Sequence, residues 1–106
     1  MHGKHFNIQL NQQIMRVSDT RELCHIISKY AAQFDNVNVA TSFRKVLQVP
    51  RDGVLSGIMQ QALETLEKCA MRNMEAFQPQ EIANILHMTA KKRYKTCLLP
   101  ELVRRA

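Results

Sequence analysis

The chain has 106 residues, of which 45% are hydrophobic, and its 15 Lys and Arg exceed its nine Asp and Glu to give a formal net charge of +6. This length and apolar content are enough for a single compact domain, but not for a domain with a long tail. The basic balance favours a polyanionic partner over a neutral one.

Cysteine usage and hydropathy argue against two further classes. The three cysteines are an odd number without a close pair, which argues against a disulfide framework and for a reducing compartment. No apolar run approaches the roughly 18 to 20 residues that a membrane-spanning helix needs, so we expect no membrane span. Charge alone leaves both nucleic acid and anionic lipid open as partners.

Composition and pattern predict an all-α fold. Only three Gly and three Pro interrupt the chain. Apolar and polar residues rarely alternate, and no Asn-Gly or Asp-Gly turn joins two β-rich runs. In chain order we expect a flexible segment over 1–7, a lead-in helix over 8–17, a first helix pair over 20–48, a second over 54–91 and a half unit over 96–106.

Capping and turn residues set the expected helix boundaries. Asp35 or Asn36, and later Gln78, precede apolar residues at helical spacing and are N-cap candidates. Pro79 suits the first position of a helix, because its missing N–H costs no hydrogen bond there. Between the two helix pairs, the sequence Pro-Arg-Asp-Gly at 50–53 predicts a turn.

An internal repeat connects the two helix pairs. The segment FDNVNVATSFRKVLQ, from residue 34, aligns without a gap with FQPQEIANILHMTAK, from residue 77. The matched pairs are Phe34 with Phe77, Val39 with Ile82, Ala40 with Ala83, Thr41 with Asn84, Phe43 with Leu86, and Leu47 with Ala90. We therefore expect a short α-solenoid of about two and a half antiparallel helix-pair repeats, with Ala83 and Ala90 in the buried set. Such a short stack should leave an apolar end exposed for a partner to cover.

Residues for catalysis, metal binding or a cofactor do not form a recognisable pattern. The four histidines lack metal-ligand spacing, the cysteines form no CxxC, and no Gly-rich loop is present to hold a phosphate. Cys24 and His25 are adjacent, so on a helix they point about 100° apart and make a poor nucleophile and base. We expect a protein without enzymatic activity, cofactor or metal.

Basic residues provide the main functional signal. Residues 91–106 hold six Lys and Arg against the single acidic residue Glu101. Basic side chains contact phosphates, and an aromatic ring among them can stack on a base, although a solvated surface has the same composition. The candidate RNA-binding residues are Arg44, Lys45, Arg72, Lys91, Lys92, Arg93, Tyr94 and Lys95.

Four short polar residues lie within the repeated segments and have two interpretations. Asn36, Asn38, Thr41 and Asn84 are short enough to hydrogen-bond the edge of a base from the surface of a helical stack. The same residue types also cap helices and form hydrogen bonds between helices. The sequence leaves both roles open.

The repeated segments also resemble a known class of proteins. TRELCHIISKYAAQFDNVNVATSFRKVLQ and FQPQEIANILHMTAKKRYKTCLLPELVRRA are similar to the degenerate helical repeats of organellar RNA-binding proteins. These are the octotricopeptide and heptatricopeptide repeat proteins and their relatives that end in a RAP domain. The likeness rests on an initial Phe, a short polar stretch such as "NVNVAT" or "PQEIAN", and a helix containing Ala and Leu.

The resemblance implies an α-solenoid that binds RNA in a mitochondrion or a plastid. Family members carry many units, whereas this chain has room for about two and a half and for no RAP domain. A small basic subunit of an organellar ribosome or RNA-processing particle fits this size better than a sequence-specific reader. The implied partners are RNA, above all ribosomal RNA, and the neighbouring proteins of the particle, with a mitochondrial location and a plastid as the alternative.

A protein-protein adaptor is the alternative function that the sequence leaves open, whereas a membrane-surface helix fits the sequence poorly and we expect no membrane partner. A protein-protein adaptor of the same fold would use apolar grooves and its Met-rich side, leaving the basic cluster to solubility. A surface-bound membrane helix would require residues 91–106 to be amphipathic, and a predicted loop interrupts that segment. Salt dependence separates the RNA binder from the adaptor, because phosphate contacts weaken steeply with salt and apolar contacts do not.

Overall fold

The computed structural model describes residues 4–50 and 55–106, and in this part of the chain every regular element is helical. The α-helices are α1 (Lys4–Arg16), α2 (Thr20–Tyr30), α3 (Asn36–Gln48), α4 (Ser56–Arg72), α5 (Pro79–Lys91) and α6 (Leu99–Arg105). Short 3-10 turns over Ala31–Gln33 and Met74–Ala76 follow α2 and α4. The prediction of an all-α fold is therefore confirmed.

The start of the first helix differs from the sequence prediction. Helix α1 begins at Lys4, so residues 4–7, for which we expected a flexible segment, are helical. The Asn7 side chain donates to the carbonyl of Gln33 at 2.8 Å. Such a tertiary contact leaves no trace in local periodicity. The predicted turn at 50–53 and the predicted helix start at residue 54 fall largely outside the described residues.

Helix α4 ends at Arg72, and a 3-10 turn over Met74–Ala76 follows it. Asn73 stops the helix, because its side-chain amide donates to the carbonyl of Cys69 at 2.9 Å and to that of Phe34 at 3.2 Å. The second of these bonds joins the end of α4 to the segment before α3.

Helix α3 forms the centre of the fold. It packs against α1, α4 and α5, while α2 packs against α4 and α5 against α6. Val39, Phe43 and Val46 on α3 are almost fully buried. Burial of such a side chain contributes about 1.5 to 3 kcal/mol, which outweighs the modest helix propensity of the β-branched residues. The molecule is flat, with Cα extents of 35 × 34 × 19 Å. The shortest extent corresponds to a thickness of about two helices, since a helix with its side chains is about 10 Å across.

The repeat is visible at the start of α3 and of α5. Phe34 and Phe77 are both buried, and each follows a 3-10 turn. Their own backbone angles are nearly the same: φ −63° and ψ 133° at Phe34, and φ −64° and ψ 132° at Phe77. Asn38 and Glu81 occupy matched third positions of their helices. Asn38 Oδ1 accepts from the Asp35 N–H at 3.1 Å, and Glu81 Oε1 accepts from the Gln78 N–H at 2.8 Å.

The match weakens along α5. Thr41 is buried and its partner Asn84 is exposed, while Ala83 and Ala90, which we expected to be buried, are exposed. The neighbours of the two helices explain this difference. Helix α3 packs mainly against α1, α4 and α5 and also contacts α2, whereas α5 packs mainly against α3 and the seven-residue α6.

Asn38 ties α1 to α3 and generates the first prediction. Its side chain accepts from the Asn7 amide at 2.8 Å and donates to the Asn7 carbonyl at 3.0 Å, in addition to its bond with Asp35. We expect Asn38→Ala to lower the free energy of unfolding by about 2 to 3 kcal/mol, because it leaves several polar groups in a partly buried site unpaired. Urea denaturation measures this change. The exposed Asn84→Ala is the control, expected within about 0.5 kcal/mol of wild type, and equal losses in the two variants would contradict the prediction.

Candidate nucleic-acid interface

The loop between α5 and α6 begins with a Schellman-type helix end. The Tyr94 N–H donates to the carbonyl of Thr89 at 2.9 Å, and the Arg93 N–H donates to that of Ala90 at 3.1 Å. Arg93 has a positive φ of 55°. These bonds satisfy carbonyls at the end of α5 and fix the course of the chain through the basic segment.

Arg93 occupies a position where glycine is the usual residue. A residue with a Cβ in the left-handed conformation costs about 1 to 2 kcal/mol, and glycine avoids that cost. The Arg93 side chain is exposed. Strained backbone positions cluster at functional sites, although a left-handed residue also ends many helices.

Glu67 holds the rest of the loop against α4. Its Oε2 accepts from the Thr96 hydroxyl at 2.7 Å, the Tyr94 hydroxyl at 3.1 Å and the Cys97 N–H at 3.3 Å. The Glu67 side chain is almost completely buried. A buried carboxylate is costly unless hydrogen bonds stabilise it, so the loop and the carboxylate stabilise each other.

The six basic residues of the C-terminal segment fall into two groups. Arg104 and Arg105 both pair with Glu101, and Arg105 also pairs with Glu75 at 2.6 Å. The hydrogen bonds from Arg104 and Arg105 hold the pKa of the Glu101 carboxyl below its usual value. The other group is exposed and makes no ion pair within the described residues; it consists of Lys91, Lys92, Arg93 and Lys95. We call these four residues the basic loop.

Two other predicted RNA contacts form hydrogen bonds with main-chain carbonyls. Lys45 Nζ donates to the carbonyl of Val17 at 2.5 Å and to that of Met15 at 3.0 Å, at the end of α1. Arg72 donates to the carbonyl of Ala31 at 2.7 Å, at the end of α2. Both cations satisfy carbonyls near a helix C-terminus, where the helix dipole also favours positive charge. The structure thus gives them a packing role away from the basic loop.

Arg44 lies in a groove that sequence reasoning did not identify. The groove separates α3 from α5 and has a volume of about 410 Å³. We call it the α3–α5 groove. Its lining residues are Val37, Ala40, Thr41, Phe43, Arg44, Glu81, Asn84, Ile85, His87 and Met88. The repeat could have revealed it, because Thr41 with Asn84 and Arg44 with His87 occupy matched positions of the two units.

The four short polar residues divide between structure and surface. Asn36 donates to Glu81 Oε1 at 2.8 Å, and Asn38 belongs to the network with α1, so these two form hydrogen bonds between helices. Thr41 is buried at the wall of the groove. Asn84 is exposed there and accepts from the Gln80 amide at 3.1 Å through its Oδ1.

Thiol and metal chemistry find little support in the geometry. Burial raises the pKa of the Cys24 and Cys69 thiols, although Arg72 opposes the shift at Cys69. Within residues 4–50 and 55–106, no group of three His, Cys, Asp or Glu is placed to hold a metal ion. In the same residues, no helix has the length and apolar character needed to cross a bilayer.

Comparisons of the chain with protein-family models, curated proteins and solved structures found no match. The likeness to organellar helical-repeat proteins therefore rests on the segments quoted above, and it remains a hypothesis.

The Glu67 contacts generate the second prediction. Glu67→Ala removes the acceptor of the Thr96 hydroxyl and the Cys97 N–H, so we expect the free energy of unfolding to fall by about 2 to 3 kcal/mol. Hydrogen exchange at the Cys97 amide should accelerate more than exchange within α2. Glu64→Ala, an exposed change on the same helix, is the control. A Cys97 amide that stays equally protected in both variants would show that Glu67 does not hold the loop.

Proposed function

We propose that this protein is a non-catalytic RNA-binding protein and that the basic loop is its principal phosphate-contacting surface. The observation that carries the proposal is the set of exposed cations at 91–93 and 95, which form no ion pair within the described residues. Each phosphate that such a residue neutralises releases condensed counterions and adds to affinity.

The fixed backbone of the loop supports this role. Hydrogen bonds to the end of α5 and to Glu67 hold it on both sides. A surface that is ordered before binding loses less conformational entropy on binding than a flexible tail of the same charge. Arg93 places a positive charge at a left-handed backbone position where glycine would relieve strain, which is consistent with a use for its charge.

A helical-repeat architecture is part of the same proposal. Helices α2 and α3 form one unit and α4 and α5 the next, with α1 and α6 at the ends. The contacts of α2 with α4 and of α3 with α5 support a stack of corresponding helices. The matched capping at Asp35 and Gln78 supports a shared unit boundary.

The resemblance described above suggests an organellar ribosome or RNA-processing particle as the setting. In that setting the RNA is ribosomal RNA, the other partners are neighbouring proteins, and the compartment is a mitochondrion or, alternatively, a plastid. Organelle fractionation of cells that express the native protein tests the location. Recovery outside both organelles would contradict it.

A protein-protein adaptor is the second candidate, and one observation favours it. Leu99 and Val103 lie one turn apart on α6 and are 47% and 58% exposed. Two apolar side chains on a terminal helix are suited to contact with another protein. In the particle proposed above, this contact and RNA binding are compatible. If protein-protein contact is the sole function, the isolated protein should have no salt-sensitive affinity for RNA.

Charge removal in the basic loop gives the third prediction. We expect the combination Lys91→Gln, Lys92→Gln and Lys95→Gln to weaken RNA binding about tenfold or more at moderate salt. The slope of log K against log salt should become shallower by about 2, since each single-strand phosphate contact contributes about 0.7. Fluorescence anisotropy with a labelled single-stranded RNA, measured at several salt concentrations, gives both quantities.

A control variant that loses the same net charge elsewhere on the surface separates the effect of the basic loop from that of net charge. Arg21→Gln, Lys29→Gln and Lys68→Gln remove three exposed cations from α2 and α4. This variant should bind nearly as tightly as wild type. Equal weakening in the two triple variants would show that net charge, and not the basic loop, determines the affinity.

Arg93→Gly gives the fourth prediction, in which stability and affinity change in opposite directions. Relief of the left-handed strain, less the extra chain entropy of glycine, should raise the free energy of unfolding by about 0.5 to 1 kcal/mol. Loss of the charge should lower RNA affinity and reduce the salt slope by about 0.7. Arg93→Lys keeps both strain and charge and should resemble wild type in urea denaturation and in binding. A stabilised glycine variant with unchanged affinity would exclude Arg93 from the interface.

A further inference from the structure

We propose that the α3–α5 groove holds one unpaired nucleotide of a single-stranded RNA, with the base on the apolar floor and the phosphate at Arg44. This inference rests on the proposed RNA binding and assigns a second contact to it. The groove volume of about 410 Å³ lies within the range of small-molecule sites.

The two helices that form the groove run side by side in the same direction. Asn36, the first residue of α3, bonds to Glu81 in the first turn of α5 at 2.8 Å. Further along both helices, Arg44 and His87, which occupy matched positions of the repeat, therefore line the same groove.

The lining combines an apolar floor with polar edges. Phe43 and Ile85 are buried beneath the groove, and Met88 is half-buried within it. Arg44, Asn84 and His87 are exposed around it. A planar heterocycle matches this arrangement, because its faces are apolar and its edge carries hydrogen-bonding groups. The Asn84 Nδ2 group makes no hydrogen bond within the described residues and can donate to such an edge.

The groove has an acidic residue near one end and basic residues toward the other. Glu81 accepts hydrogen bonds from Asn36 and from the Gln78 N–H at the beginning of α5. His87 lies six residues later, about 9 Å along the helix axis. Lys91 lies one turn beyond His87 on the same face and belongs to the basic loop. An RNA phosphate is disfavoured near Glu81 and favoured near Arg44 and Lys91, so this polarity places the backbone toward the loop.

A base inside a duplex cannot occupy this site, because stacking and pairing keep it within the helix. The groove therefore predicts a preference for single strands that the basic loop alone would not give. An apolar peptide is the competing occupant of such a groove. It would not require a positively charged residue at position 44.

The methionine methyl groups offer a direct test. The wild-type protein, labelled with ¹³C at the methionine methyls, is titrated with a short single-stranded oligoadenylate and then with a duplex of the same length. We expect the Met88 signal to move through the ring current of the bound base on addition of the single strand and to stay in place with the duplex. Met71, which is 55% exposed on α4, is the internal control and should not move. Met88→Leu and Met71→Leu assign the two signals.

Affinity measurements on two arginine variants complete the test. Arg44→Gln should weaken oligoadenylate binding about five- to tenfold and leave duplex binding nearly unchanged. Arg21→Gln, the same change at an exposed position of α2, should alter either affinity less than about twofold. Circular dichroism confirms that both variants are folded.

The outcomes separate this inference from the proposed function. Oligoadenylate binding that depends on the basic loop, with a stationary Met88 signal and equal effects of the two arginine variants, would overturn the groove and leave the loop intact. An equal Met88 shift with the duplex would overturn the single-strand preference. Failure of the wild-type protein to bind either RNA would overturn both proposals.

Discussion

The ends of the helices impose the constraint on which the rest of the structure depends. A body built from short helices has many carbonyl and N–H groups without partners inside a helix, and each must find another. Lys45, Arg72 and Asn73 satisfy carbonyls at or near the ends of α1, α2 and α4. Asn38 and Glu81 satisfy N–H groups before α3 and α5. Polar side chains used in this way hold the helices together.

This use of polar residues explains which parts of the fold could be predicted from the sequence. Local signals determine the start of α3, where Asp35 is the N-cap, and the repeat of Phe34 at Phe77 marks two equivalent entries into a helix. The early start of α1 could not be predicted, because it depends on the bond of Asn7 to Gln33, 26 residues away. Exposure of Ala90 also depends on packing, since α3 is surrounded by helices and α5 is covered less completely.

The same distinction applies to the candidate site. A run of basic residues at 91–95 is visible in the sequence, and four of them remain exposed cations. The engagement of Lys45 and Arg72 could not be predicted, because their carbonyl partners are 28 and 41 residues away. Glu67 has the appearance of one more polar residue on α4, yet it accepts a hydrogen bond from Tyr94, 27 residues later, in the loop after α5. Helical periodicity identifies the face of a residue, whereas its partner depends on how the helices are arranged.

Divergence between the matched helices α3 and α5 creates the surface to which we assign function. At one matched pair, Thr41 is buried in α3 while Asn84 is exposed in α5, and both line the α3–α5 groove. Helix α3 packs mainly against α1, α4 and α5, whereas α5 packs mainly against α3 and the seven-residue α6. This lighter covering leaves Asn84 at the groove and Lys91 at the basic loop exposed, so the proposed RNA contacts lie where the two helices differ in their neighbours.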